Sequence, residues 1–130
     1  MEGVSVLRIS IIIPVFNGAA TLDRCLQSVL DQTFEDYQVI IVNDGSTDQT
    51  MTIAQNWVAG DDRFLVISEH CSGPGKARNV GLSLAQGEYV VYMDADDYWV
   101  RSDLLEILAD RIERSPADVY MYQKIGRAHV

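Results

Sequence analysis

Gly87-Glu88-Tyr89-Val90-Val91-Tyr92-Met93-Asp94-Ala95-Asp96-Asp97-Tyr98-Trp99 carries an apolar, β-branched and aromatic run straight into three carboxylates. Tyr89 to Met93 reads as a strand covered on both faces, because a half-exposed strand would alternate apolar with polar residues. The segment after it differs in chemistry. Carboxylates about 4 Å apart repel by roughly 4 kcal/mol at an effective dielectric of 20, so such a cluster either holds a proton or binds a cation. Asp94 and Asp96 are separated by the small residue Ala95, which lets the chain bend so that both point at one crevice. Magnesium or manganese accepts one or two such oxygens and completes its shell with water and substrate phosphates. The alternative is an acidic loop that caps the helix expected from about Asp103.

Outward from this junction the chain alternates strand and helix. Val6 to Val15, rich in Ile and Val and closing at Pro14, predicts a first, central strand. Asn17-Gly18 turns the chain, Thr21 is placed to cap a helix, and Leu22, Cys25, Leu26, Val29 and Leu30 form one apolar stripe at helical spacing. Val39 to Val42 predicts a second strand, ending at Asn43-Asp44-Gly45. Ser46 and Gln49 have capping-box spacing, which predicts a helix from near Asp48 to Val58 that stops before Gly60. Phe64 to Ile67 is a third, shorter strand, and Cys71-Ser72-Gly73-Pro74-Gly75 is a loop. Ala77, Val80, Gly81 and Leu84 mark a third helix ending near Gly87. Beyond the acidic segment, Leu104, Ile107, Leu108 and Ile112 give the inward face of a fourth helix that stops at Pro116, and Val119 to Tyr122 begins a fifth strand.

This order predicts an α/β, Rossmann-like and mainly parallel sheet with helices on both faces, because right-handed crossovers place them there. In open α/β sheets the ligand lies beyond the carboxyl ends of the strands. Phe16-Asn17, Asn43-Asp44, the Gly-Pro-Gly loop and Asp94 to Asp97 all fall at that edge. Asp44 is suited to accept a hydrogen bond from a base or sugar, although a turn or helix-cap role fits it equally well. Arg78 and Asn79, on the first turn of the third helix, are either surface residues or, for Arg78, a reach toward a diphosphate or base. Lys76 is a weaker candidate of the same kind. His70 and His129 have no partner arrangement, and packing is favoured over ligand stacking for Tyr98 and Trp99.

The 130 residues allow one domain with a real core. A formal charge of −9 argues against nucleic-acid binding through a basic surface. It also means that a phosphate ligand needs positive charge brought by a metal. Cys25 and Cys71 lie far apart without metal-ligand spacing and read as reduced thiols of a cytoplasmic protein. The longest apolar run, Ile9 to Val15, is too short to span a membrane, so no membrane segment is expected in this chain; peripheral association of a full-length protein with the inner face stays open.

Ser10-Ile11-Ile12-Ile13-Pro14-Val15-Phe16-Asn17, Val42-Asn43-Asp44-Gly45-Ser46-Thr47-Asp48, Gly75-Lys76-Ala77-Arg78-Asn79-Val80-Gly81 and Tyr92-Met93-Asp94-Ala95-Asp96-Asp97 resemble the successive signatures of family 2 glycosyltransferases. The resemblance implies the GT-A fold and a metal-dependent transfer of sugar from a nucleoside-diphosphate donor, a UDP-sugar above all, to a hydroxyl of a glycan or lipid-linked acceptor in polysaccharide biosynthesis. It further implies that Pro14, Val15, Phe16 and Asn17 line the nucleotide pocket. Asp44 would contact the base, often uracil, and Arg78 would lie near base or diphosphate. Asp94 and Ala95 would face the donor, Asp94 also the metal, and Asp96 would ligate the Mg²⁺ or Mn²⁺ that bridges the diphosphate.

In the family the acceptor base is usually a carboxylate from a later segment. Residues 1–123 therefore read as the nucleotide-sugar-binding half of the domain, truncated before the acceptor-binding part and inactive alone. Residues 124–130, Lys124 to Val130, abandon every hydrophobic pattern and read as a non-native tail resembling a translated library adapter. A non-catalytic nucleotide-sugar and metal-binding module is the main alternative. A dinucleotide oxidoreductase is disfavoured because Val15 to Ala20 lacks G-x-G-x-x-G. A phosphoryl-transfer or phospho-acceptor protein is disfavoured because no early-strand aspartate pairs with a late lysine.

Overall fold

The computed structural model describes residues 8–115. Val6, Pro116, the expected strand at Val119 to Tyr122, His129 and the tail 124–130 lie outside the described residues. Within them the order is β1 (Ile9–Val15), α1 (Leu22–Leu30), β2 (Tyr37–Asn43), α2 (Thr50–Gly60), β3 (Phe64–Ser68), α3 (Pro74–Leu84), β4 (Tyr89–Tyr92) and α4 (Leu104–Arg114). The strands form one sheet in the order β3-β2-β1-β4, every pair parallel. Parallel pairing needs a crossover between neighbouring strands, and the helices supply it.

The two faces of β1 seed two cores. Ile9, Ile11, Ile13 and Val15 point to one side and pack with Leu22, Cys25, Leu26 and Val29 of α1, Ala54 of α2, and Leu105, Leu108 and Ile112 of α4. Ile12 points to the other, with Ile40, Val42 and Ala77 of α3. Each Ile or Leu fully buried here contributes about 1.5–3 kcal/mol. α3 lies so close to the sheet that a Cβ on Gly81 would stand 2.4 Å from Ile12 Cγ2.

The structure corrects several local expectations. β4 is covered on both faces only in part, Tyr89 and Val91 packing against one core and Val90 against the other. It is the outer strand of the described sheet, its first three residues are half-buried, and Tyr92 is 48% exposed. Only Met93, just past the strand, is buried. The apolar run of β4 therefore meets both cores, and its burial falls off at Tyr92. No capping box forms before α2: the helix begins at Thr50, continues through Gly60, and its cap residue Gln49 makes no side-chain cap bond. Ser46 is instead occupied across the cleft, as described below. α3 starts at Pro74, inside the segment expected to be loop, because proline at a helix start lacks only an N–H that would have had no helical partner. Arg78 thus lies one turn into the helix. α4 buries Leu105, Leu108, Ala109 and Ile112, so its inward face is rotated from the expected Leu104 and Ile107. Leu30 is exposed at the end of the α1 stripe.

Candidate nucleotide and metal site

Parallel strands bring their carboxyl ends to one edge, and there β1 and β4 diverge. β4 pairs with β1 only as far as Ile12, and Met93 N–H donates to the Ile12 carbonyl. Backbone groups of alternate residues face the same neighbour, so the N–H that Pro14 lacks would face the side that β4 has already left. Between the two strand ends opens a cleft of about 370 Å³. Pro14, Val15, Phe16 and Asn17 line one side, and Asp94, Ala95 and Asp96 the other. Gly18, Ala20 and Thr21 complete it. A Cβ on Gly18 would come within 2.5 Å of Val15 Cγ2 and 3.7 Å of Ala95 Cβ, so small residues let the walls approach. Phe16 stands 56% exposed at the rim.

The first wall is held by the loop after β2. Asn17 adopts a left-handed backbone, φ 50°, which asparagine tolerates better than most residues. Its Oδ1 accepts from the N–H of Thr47 at 2.8 Å and of Asp48 at 3.3 Å. Its own N–H donates to Ser46 Oγ at 2.8 Å. Gly18 N–H donates to Thr50 Oγ1 at 2.9 Å, and Ala19 N–H to Asp48 Oδ2 at 3.1 Å. The Asp48 carboxyl sits below its usual range, mainly because the Thr50 hydroxyl donates to it.

The second wall is electrostatic. Asp94, Asp96 and Asp97 each offer a carboxylate oxygen, and these oxygens lie within 4.8 Å of one another. The Asp97 N–H donates to the Asp94 carbonyl at 3.0 Å, which folds the segment back on itself. Ala95, in the middle of this turn, is tucked into the core. Three hard oxygen donors at this spacing fit a divalent cation such as Mg²⁺ or Mn²⁺, and Asp97 joins the two residues expected from sequence. Beneath them, the Cys25 thiol donates to the Asp94 carbonyl at 3.6 Å. Burial first, then the charges of Asp97, Asp96 and Asp94, push that thiol up to about 12, so it is a neutral donor.

Asp44 and Arg78 reach this edge but do not line the cleft. Asp44 is only 6% exposed, and its carboxylate accepts from Ser72 N–H at 2.8 Å and Gly73 N–H at 2.9 Å. It thereby ties the Gly-Pro-Gly loop to the end of β2. Arg78 Nη2 lies 3.9 Å from Asp94 Oδ1, with both side chains part-exposed. Contacts of this kind are worth about 0.2–1 kcal/mol, so they orient rather than lock. Lys76 and His70 are exposed and absent from the cleft lining. The Arg24 guanidinium lies 4.4 Å from the centre of the Tyr98 ring, and Trp99 packs against the core, in keeping with packing roles. The contributions of Ser46, Asp48 and Thr50 went unread in the sequence. Their signal was an excess of small polar residues after β2 beyond what a single helix cap requires.

The profile of Glycosyl transferase family 2 matches residues 10–128. Glycosyltransferase GlyA of Streptococcus pneumoniae is 38% identical over 112 residues, covering 86% of this chain but 16% of that protein. Among solved structures, S. aureus TarS 1-349 in complex with UDP-GlcNAc superposes with a TM-score of 0.77 at 33% identity, over 83% of this chain and 32% of that one. The mannosyltransferase PcManGT of Pyrobaculum calidifontis, in complex with GDP-Man and Mn²⁺, gives a TM-score of 0.76 at 27% identity, over 82% of this chain and 32% of that one. The parallel sheet, the cleft at its carboxyl edge and the match along nearly the whole chain agree: this chain belongs to glycosyl transferase family 2 and has its GT-A-like α/β architecture.

Proposed function

We propose that the chain carries the donor-binding half of a metal-dependent glycosyltransferase, which moves a sugar from a nucleoside-diphosphate donor, a UDP-sugar, to a hydroxyl of a glycan or lipid-linked acceptor. The observation that carries this reading is the meeting of Pro14 to Asn17 with Asp94 to Asp96 across one cleft of about 370 Å³, large enough for a small ligand. The UDP-GlcNAc bound by TarS and the GDP-Man and Mn²⁺ bound by PcManGT support the donor class and the metal.

Asp94 and Asp96, with Asp97 beside them, would hold Mg²⁺ or Mn²⁺. When bound, that ion supplies positive charge for the diphosphate leaving group. Pro14 and Val15 exclude water from one side of the cleft, and Phe16 presents an aromatic face for a base. Arg78, drawn toward Asp94, is placed to donate to diphosphate oxygens. Asp44 serves the base side through the loop it anchors. The carboxylates of the cleft are thus committed to the cation, and the base that deprotonates the acceptor is assigned to another part of the full-length protein. That protein works in the cytoplasm, where lipid-linked acceptors would bring it to the inner membrane face. Among the described residues no helix is long and apolar enough to cross a membrane.

Calorimetry with UDP, with and without Mn²⁺, tests the reading. Binding is expected only with the metal. Equal binding without metal, or undiminished binding to Asp96→Ala, overturns the metal role. A non-catalytic binding module is the second reading, favoured by the commitment of the cleft carboxylates to a cation. Donor turnover by the full-length protein excludes it.

A further inference from the structure

Thr50 is fully buried and Asp48 exposed, yet together they bind the backbone of the opposite loop. The Thr50 hydroxyl accepts from Gly18 N–H at 2.9 Å and donates to Asp48 Oδ1. Asp48 Oδ2 accepts from Ala19 N–H at 3.1 Å, and its Oδ1 also accepts from Thr50 N–H at 2.9 Å. Two successive amides of the cleft wall are thereby held by two side chains of the α2 start, and neither side chain lines the cleft.

Without these acceptors the Gly18 and Ala19 amides would have to find other partners, since each is an obligatory donor. Gly18 has no side chain of its own to fix its backbone, and it lies against Val15 and Ala95, where the two walls meet. A backbone swing at Gly18 would shift Phe16 and Asn17 against the acidic wall.

We infer that Asp48 and Thr50 are positioning residues: a hydroxyl–carboxylate clamp that fixes the Phe16 to Ala20 wall so that a nucleoside diphosphate meets a preformed cleft. The inference rests on the nucleotide reading above for its ligand, and on the hydrogen bonds alone for the clamp. Preorganisation of this kind raises affinity by removing the ordering cost from the binding step.

The test uses the chain in hand with Thr50→Val, Thr50→Ser and Asp61→Asn. Asp61 pairs with Arg63 Nη2 at 2.7 Å in the turn before β3, away from the cleft, so its variant controls for general loss of stability. Hydrogen exchange by NMR is expected to speed at Gly18 and Ala19 by about tenfold in Thr50→Val, with β2 amides unchanged. Calorimetry with UDP and Mn²⁺ is expected to show affinity about tenfold weaker in Thr50→Val, restored in Thr50→Ser and unaltered in Asp61→Asn. Unchanged exchange at Gly18 and Ala19 overturns the clamp. An equal affinity loss in Asp61→Asn, or none in Thr50→Val, overturns its positioning role. A wild-type chain that does not bind UDP with Mn²⁺ overturns the nucleotide reading instead, and the exchange rates then decide the clamp alone.

Discussion

The wall from Phe16 to Ala20 and the wall from Asp94 to Asp97 face the same cleft but reach their shape by different means. The first is tied by side chains of the loop after β2 and by Thr50 at the start of α2, so that its amides have partners before any ligand arrives. The second gathers three carboxylates within 4.8 Å over a buried thiol, an arrangement that like-charge repulsion opposes and a cation relieves. The difference teaches which features of a site serve folding and which serve binding. A satisfied hydrogen-bond network stabilises the empty protein, whereas a crowded set of carboxylates costs stability until its ligand is present.

Four measurements would break or sharpen that contrast. The largest effect is expected at Cys25, whose pKa is raised from 9.0 to about 12 by burial and the overlying charges. At pH 8 its alkylation in the folded chain should be about a thousandfold slower than in the unfolded chain, while exposed Cys71 reacts in both. Comparable rates at the two cysteines would mean that the floor of the acidic wall is open. The raised value also has a sign for stability: its contribution is intact below pH 9 and is lost as pH rises from there toward 12.

Next, Asp96→Ala should weaken UDP binding in Mn²⁺ by about a hundredfold. The metal-free variant should unfold at a temperature no lower than the parent, because the substitution removes a like charge. A marked fall in metal-free stability would make Asp96 a structural residue and erase the contrast. Asn17→Ala should do the reverse in kind. It removes the acceptor for two N–H groups and places alanine at φ 50°, so a loss of about 2 kcal/mol is expected in denaturant unfolding. Stability within 0.5 kcal/mol of the parent, about the spread of neutral surface changes, would show the first wall to be held elsewhere.

The smallest effect is on acid stability. Asp48 and Asp61 both titrate below the ordinary 3.8 in the folded chain, Asp48 chiefly through the Thr50 hydroxyl and Asp61 through Arg63. Their contribution is complete above about pH 3.8 and disappears as pH falls through the lower folded values. Stability curves of Asp48→Asn and the parent should therefore converge in acid below that point. Curves that stay parallel would remove Asp48 from the clamp.

Much of the site was legible in the sequence because its parts sit at strand ends, and strand ends are marked locally. Phe16-Asn17 and Asp94 to Asp97 were read from apolar runs breaking into polar residues and Pro14 and Val15 only through the family resemblance, and Pro14 to Asn17 and Asp94 to Asp96 line one cleft. Asp44 was legible as a strand-end carboxylate but not as the anchor of the Ser72 and Gly73 amides, which lie 28 and 29 residues away. The capping box at Ser46 and Gln49 misled for the same reason, since Ser46 Oγ is engaged by Asn17, 29 residues distant.

From the amino-acid sequence alone came the alternation of strands and helices, the parallel sheet with helices on both faces, the dense carboxylates after β4 and the family. The first three follow from side-chain periodicity and from residue chemistry, which neighbouring positions report directly; the family came from the resemblance of four ordered motifs. The tertiary structure decided the order β3-β2-β1-β4 among the described strands and the reach of Thr50 to Gly18 across 32 residues. Such pairings depend on which loops the crossovers bring together in space, and no local spacing encodes them.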